Sequence, residues 1–235
     1  MTRTHVVTGA GAGIGLQLAR RLSDRGDTLV LPVRSAERAA EVLAELGERH
    51  HAVVADLGDL EQVAAGAARI ASQFDHLDSL VHCAGVVDLA PVATQGVEAW
   101  QHQIDVNLTA PVVLTRDLLP ALRAARGTVL FVNSTSGIVA NPHWGAYAAS
   151  KHGLRGLADA LRAEEAPHGV RVTSVHPSRT ATPMQERVHA QEERSYRAEE
   201  WMSADTVAAT LLHVLDLPSD ATITDLTIRT SPSPS

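Results

Sequence analysis

Short unbroken apolar runs alternate along this chain with longer stretches in which apolar residues recur every three or four positions. The first pattern predicts buried strands and the second amphipathic helices. His5-Val6-Val7 reads as a strand, and Leu16, Leu18, Ala19 and Leu22 follow it at helical spacing. A second strand, Thr28 to Leu31, runs on to Val33-Arg34, after which Ser35 can cap a helix through Leu46. A third, Ala52 to Ala55, stops at Asp56-Leu57, and Asp59 with Gln62 three residues later forms a capping box for the next helix. Leu77 to Val81 is a fourth strand, ending in His82-Cys83-Ala84-Gly85.

Trp100, Ile104, Leu108, Val112 and Leu119 give helical periodicity to the segment from Thr94 to Leu122, which Pro111 and Pro120 are expected to kink or interrupt. Asn is a mediocre helix residue, so Asn107 in mid-segment implies a local distortion or a specific hydrogen bond. A fully apolar strand, Thr128 to Val132, delivers Asn133-Ser134 to its tip. A long helix runs from Gly145 to Ala166, ended by Pro167-His168-Gly169, and a sixth strand from Val170 to Val175 leads into the stretch from Pro177 to Met184. The charged, weakly periodic chain to Met202 reads as a mobile helix–loop element. Ser203 starts a helix to Leu217, and Thr222 to Ile228 alternates as a last strand. Strand and helix alternate almost throughout, which predicts an α/β doubly wound parallel sheet of about seven strands with helices on both faces. Residues 1–230 are expected to form a single domain, and 231–235, Ser/Pro only, a disordered tail.

Composition narrows the function classes. Hydrophobic residues make up 45% of the 235 and charged residues 20%, enough to bury a core. The net charge is −7, without a basic cluster to track a phosphate backbone, so nucleic acid is an unexpected partner. No membrane-length apolar run and no leader-like apolar stretch after Met1 occur, which points to a soluble, cytoplasmic protein without a membrane partner. Cys83 is the only cysteine, and the twelve His lack HExxH or CxxC companions, so no protein metal site is expected.

Candidate chemistry collects at the predicted strand tips, where ligands bind in such folds. After the first strand comes Thr8-Gly9-Ala10-Gly11-Ala12-Gly13-Ile14-Gly15, a TGxxxGxG pattern rather than the general GxGxxG. Glycines allow a tight turn and close approach to a pyrophosphate, and the helix that follows offers unpaired N–H groups to its charge; close helix–strand packing alone is the alternative. The second tip carries Arg34 and no acid, with Asp27 at the opposite end of the strand, which favours the 2′-phosphate of NADP(H) over NAD(H). Asp56 could accept from an adenine amino group or be only a turn residue. Tyr147 and Lys151, four apart, share one face of the long helix, about one turn or roughly 6 Å along the axis. A cation beside a phenol lowers its pKa towards the range of useful proton transfer.

With these residues in hand, the chain resembles the short-chain dehydrogenase/reductase family, in its compact single-domain subclass with a Rossmann-type sheet. The family's glycine motif is matched by Thr8, Gly9, Gly13 and Gly15, its YxxxK by Tyr147 and Lys151, and its serine thirteen positions before the tyrosine by Ser134. Asn107 corresponds to the family's catalytic asparagine. The resemblance further implies that Gly11 and Ile14 belong to the cofactor loop, that Asp56 and Leu57 meet adenine, and that Ala84 and Gly85, with Cys83 before them, line the adenosine ribose region. It places Pro177 to Thr182, including Thr180, at the nicotinamide end. Two departures stand out: the family's NNAG is His82-Cys83-Ala84-Gly85 here, and its Pro-Gly is Pro177-Ser178. Loss of the Asn side chain at Cys83 could loosen the adenosine wall.

The resemblance implies hydride transfer between NADP(H) and a ketone or aldehyde, with Tyr147 handling the proton, Ser134 holding the carbonyl, Lys151 lowering the phenol's pKa and binding ribose, and Asn107 anchoring a water. A 3-oxoacyl-carrier reductase, an NAD-preferring alcohol dehydrogenase and, from another class, a non-catalytic NADP-binding sensor are the alternatives. A homodimer or homotetramer is expected by resemblance. Val86, Val87, Ile138, Val139, Asn141, His143, Trp144 and the chain after Met184 are the candidate substrate-specificity positions.

Overall fold

A computed structural model describes residues 2–231; the last four positions of the expected Ser/Pro tail lie outside the described residues. Seven strands form one all-parallel sheet: β1 (Thr4–Thr8), β2 (Thr28–Val33), β3 (His51–Val54), β4 (Ser79–His82), β5 (Thr128–Val132), β6 (Arg171–Pro177) and β9 (Asp225–Ile228). Two short strands, β7 (Thr180–Ala181) and β8 (Met202–Ser203), pair separately. The helices are α1 (Gly13–Asp24), α2 (Ala36–Leu46), α3 (Leu60–Gln73), α4 (Val97–Ile104), α5 (Ala110–Ala125), α6 (Gly145–Glu165), α7 (Pro183–Gln191) and α8 (Ala204–Leu215). The strand order is β3-β2-β1-β4-β5-β6-β9, so the chain reverses its winding between β1 and β4. This is the Rossmann-type architecture expected from the alternating pattern.

The apolar runs are unbroken because each strand feeds two cores. Val7, Leu130 and Val132 pack with Leu18 and Leu22 of α1 and Leu211 of α8. Their neighbours Val6, Val129 and Phe131 pack on the other face with Ile70 of α3, Leu118 of α5 and Leu154 of α6. Period-2 alternation between two buried faces favours an apolar residue at every strand position.

Caps follow the sequence where side chains could supply them. Ser35, Asp59, Thr182 and Ser203 accept from the first turns of α2, α3, α7 and α8. The Asp59–Gln62 pair is not a full capping box, since the Gln62 amide donates to the Asp59 carboxylate and accepts from the Asp56 N–H.

The α-helix is interrupted just before Pro111 and runs on through Pro120. The five residues Asp105–Thr109 form a π-helical turn that joins α4 to α5. Pro111 falls in the first turn of α5, where a missing N–H is tolerated, and α5 continues past Pro120 to Ala125. The weakly periodic stretch after Met184 contains α7, a short turn of helix at Ala198–Glu200, and β8, which ties it back to β7.

Candidate active site

The cleft at the carboxyl end of the sheet is lined by Ile14, Cys83, Ala84, Gly85, Ser134, Tyr147, Lys151, Pro177, Thr180 and Thr182. Parallel register carries all these strand tips to one edge, so residues distant in sequence converge there. The cleft's lining carries two cations, Lys151 and Arg179, and no carboxylate.

The glycine loop is built for backbone proximity. Gly9 and Gly13 take positive φ of 70° and 54°. A Cβ on Gly9 would lie 2.8 Å from the Ala84 backbone, and one on Gly15 2.4 Å from the Gly9 carbonyl oxygen. Thr8 closes the crevice between β1 and β4, its hydroxyl accepting from the N–H groups of Cys83 and Ala84 at 3.1 Å each. These bonds fix the backbone at Cys83 and Ala84. Burial pushes the Cys83 thiol up to about 12, so it stays protonated. Ala12, before α1, gives no side-chain cap, and the first turn carries no acid, so the N–H groups there have no side-chain acceptor. An anion fits that opening.

Arg34 is exposed at the tip of β2. A second arginine stands beside it: Arg38, one turn into α2, donates to the Gly11 carbonyl. Arg38 is twenty-seven positions from Gly11 in sequence and arrives at the loop through the fold. Asp27 lies at the other edge of the sheet, accepting from the Arg3 N–H at 3.1 Å. Asp56 is exposed and accepts from the Gly58 N–H at 2.9 Å, a turn contact that engages Oδ1. Leu57 packs with Val63 and Leu114 beside it.

The reactive-group candidates meet at the start of α6. Ser134 and Tyr147 both line the cleft. The Ser134 hydroxyl accepts from the Ser136 N–H at 3.0 Å, and the Ser134 N–H donates to Asn133 Oδ1 at 2.9 Å. Lys151 donates from Nζ to the Val132 carbonyl at 3.0 Å and lies 5.8 Å from the Tyr147 ring centroid. Burial pushes the Tyr147 phenol up, while the Ser134 side chain acts downward. Burial also lowers Lys151 to about 8. The lowering of Tyr147 expected from Lys151 is not found: burial is the largest influence on both groups and disfavours both charged forms.

Asn107 is buried in the π-turn, and its side chain is fully engaged. Its Nδ2 donates to the Val86 carbonyl at 2.8 Å and to the Ser150 hydroxyl at 3.0 Å, and its Oδ1 accepts from the Val86 N–H at 2.8 Å. Both alternatives open in the sequence, distortion and specific bonding, are realised together. The amide keeps no donor for a water. Its backbone carbonyl differs, because Pro111, four residues on, has no N–H to give it.

Among the specificity candidates, Val87, Asn141 and Trp144 line the cleft. Trp144 meets Tyr147 edge-on at 5.7 Å. His143 lies in the neighbouring groove, and Ile138 and Val139 are exposed. Arg179, inside the stretch from Pro177 to Thr182, also lines the cleft.

No helix among the described residues is long and apolar enough to cross a membrane, and no group of three or more potential metal ligands occurs among them.

A Rossmann-type sheet with a glycine loop and a polar cleft at its switch point defines a dinucleotide-dependent oxidoreductase. Residues 3–193 match the family model described as short chain dehydrogenase, and the chain belongs to the short-chain dehydrogenase/reductase family. It is 30% identical over 232 residues to an uncharacterised oxidoreductase of Staphylococcus saprophyticus, covering 97% of each chain. It is 33% identical over 195 residues to D-beta-hydroxybutyrate dehydrogenase of Rhizobium meliloti, covering 80% of this chain and 75% of that one. A short-chain dehydrogenase of Escherichia coli CFT073 solved with NADPH matches at 28% identity and TM-score 0.87, covering 96% of this chain and 95% of the other.

Proposed function

We propose that this chain interconverts a ketone or aldehyde with its alcohol, using NADP(H) in preference to NAD(H). The observation that carries the reading is the convergence of Ser134, Tyr147 and buried Lys151 in one cleft beside an uncapped helix N-terminus. Gly9, Gly11, Gly13, Ile14 and Gly15 would hold the pyrophosphate, Arg34 and Arg38 a 2′-phosphate, and Asp56 and Leu57 the adenine. Cys83, Ala84 and Gly85 would line the adenosine side, and Pro177, Thr180 and Thr182 the nicotinamide side. When bound, the dinucleotide supplies or accepts the hydride.

The chain's own residues then manage the oxygen. Ser134 holds the carbonyl oxygen by a hydrogen bond, and Tyr147 gives it a proton during reduction or takes one during oxidation. A phenol raised by burial is protonated at neutral pH, the form that reduction requires. Lys151 sets a cation near the phenol and binds ribose hydroxyls. Asn107 clamps the Val86 backbone with its side chain, and its backbone carbonyl would accept from a water leading to Lys151.

The NADPH-bound Escherichia coli neighbour supports the cofactor preference. A keto acid panel belongs in the substrate search, given the hydroxybutyrate-oxidising relative. A homodimer or homotetramer is part of the same reading, and light scattering tests it. Tyr147→Phe should abolish NADPH consumption with a carbonyl panel while leaving NADPH affinity within about twofold, because the phenol acts on the reacting oxygen rather than in binding. Retained turnover would overturn the assignment, and a wild-type protein that binds NADPH without consuming it would be a sensor instead.

A further inference from the structure

Arg179 follows the tip of β6 and lines the cleft that holds Ser134, Tyr147 and Lys151. Its Nη1 and Nη2 donate to the two oxygens of Glu192 at 2.8 and 2.6 Å. A guanidinium offers two donor pairs to planar anions, Nη1 with Nη2 along one edge and Nη2 with Nε along another. Glu192 occupies the first edge. The second has no acceptor among the described residues, and the side chain is 28% exposed, so the group is not sealed inside the fold.

We propose that this second edge of Arg179 takes the carboxylate of the substrate, so that the substrates are oxo acids and the corresponding hydroxy acids. The inference rests on the reading of the cleft as the site of carbonyl reduction. A carboxylate matches a two-donor edge in a bidentate pair. The surroundings suit an anion. No carboxylate lines the cleft, Asn141 adds an amide to the same lining, and in the neighbouring groove Glu192 is accompanied by a second arginine, Arg194.

The guanidinium is also held in place before any ligand arrives. It lies 5.8 Å from the Trp144 ring and 5.6 Å from the Trp201 ring, and Glu192 fixes it from the far edge. A donor fixed in advance loses little freedom on binding. Trp144 meets Tyr147 edge-on at 5.7 Å, which places the guanidinium one indole away from the phenol. A short oxo acid then lies with its carbonyl oxygen at Ser134 and Tyr147 and its carboxylate at Arg179. Val87, Met184 and Val188 of the lining are the apolar partners for the carbons between.

Pyruvate, acetoacetate and levulinate set the carboxylate successively farther from the carbonyl, and each has a neutral methyl ester as its control. With NADPH, wild type should favour the acid over its ester about tenfold in kcat/KM at the best spacing, the effect of one charge-assisted contact. In Arg179→Gln that preference should disappear, with the NADPH dissociation constant within about twofold. The ratio separates recognition from packing, because a loosened Trp144 slows acid and ester alike. An ester preferred at every spacing in wild type, an acid preference kept in Arg179→Gln, or a loss of NADPH affinity there of about tenfold overturns the proposal. Should Arg179→Gln fail to fold, Arg179→Lys, which keeps the charge without the fork, should still lose most of the preference, and full retention overturns the proposal. A second measurement needs no turnover. Pentanoate should change the tryptophan fluorescence of wild type saturably and pentanamide should not, since Trp144 and Trp201 flank the guanidinium. No difference between the two overturns the proposal. If wild type reduces no carbonyl, the reading of the cleft fails, while the pentanoate titration still decides whether Arg179 takes a carboxylate.

Discussion

Arg38 donates a hydrogen bond to the carbonyl of Gly11, which brings a helix cation onto the glycine loop. The same guanidinium bonds Glu41, and a Cβ on Gly11 would collide with it. Together with exposed Arg34, this gives the loop two cations on the side where β2 ends. Arg38→Ala should raise the NADPH KM about tenfold, the worth of one charge-assisted phosphate contact of about 1.4 kcal/mol, and leave the NADH KM unchanged. Arg34→Ala should do the same, and the double variant should prefer NADH. Equal losses for both cofactors would mean that the pair supports the loop without reading a phosphate.

The closest approach in the cofactor loop is between α1 and β1. A Cβ on Gly15 would sit 2.4 Å from the Gly9 carbonyl oxygen, a backbone atom that cannot swing away. Gly15→Ala should cost about 1–3 kcal/mol through forced backbone shifts, or roughly 2–4 °C of Tm per kcal/mol in a chain of this size. NADPH affinity should fall with it. Gly156 in α6 is the control, since a Cβ there meets nothing within 4 Å. Gly156→Ala should stabilise the helix by about 0.5–1 kcal/mol. Thermal melts and NADPH fluorescence titrations check both.

The strands, the glycine turn and the Tyr147/Lys151 face were legible because each is local: an apolar run, a residue type, a four-residue spacing. Convergence at the sheet's carboxyl edge was legible too, since parallel winding forces it. What the sequence hid are contacts made across the fold. Arg38 looks like an ordinary exposed residue of α2 until the loop is placed against it. His176 looks like the end of a strand until Ser134 and Asp225 flank it. The break before Pro111 was legible from the proline, but its form, a π-turn holding Asn107, was not, because the extra residue per turn leaves no local signature in the sequence. The direction of the Tyr147 shift was misread because spacing reports a neighbouring charge and says nothing of desolvation.

Two buried histidines make the fold acid-sensitive. His82 stacks on Phe131 at 5.0 Å and pairs with the Thr115 hydroxyl at 2.9 Å, and burial lowers its pKa to about 3. His5 contacts Ser79 and Asp27, and burial lowers it to about 4. In the unfolded chain both titrate near 6.5. Below that value the unfolded chain binds protons that the folded one refuses. Stability is therefore fully present above about pH 6.5 and is lost as pH falls towards the folded values, by about 1.4 kcal/mol per pH unit per histidine. His82→Asn should flatten this slope in urea melts between about pH 6 and pH 4. An unchanged slope would show that His82 is already charged in the folded protein.

Arg179 ties the substrate side of the cleft to the segment that follows α7. Its two terminal nitrogens bond both Glu192 oxygens at 2.8 and 2.6 Å, and its guanidinium lies 5.8 Å from the Trp144 ring and 5.6 Å from that of Trp201. Trp144 in turn meets Tyr147, and Trp201 meets His189, which contacts Tyr196. Four of the seven Trp, Tyr and Phe residues in the chain stand in this row, so it is where aromatic packing is concentrated. A lysine keeps the charge but loses the planar fork and the stacking surface. Arg179→Lys should cost about 1–3 kcal/mol, from two cation–π contacts of about 0.5–1 kcal/mol each and the bidentate pair. It should also shift tryptophan fluorescence and raise the carbonyl substrate's KM several-fold, with kcat nearly kept, because Trp144 would lose its backing while Ser134 and Tyr147 keep theirs. Arg197→Ala, which removes an exposed pair with Glu200, is the control and should change neither. If Arg179→Lys melts and binds substrate like wild type, the row of contacts holds nothing in place.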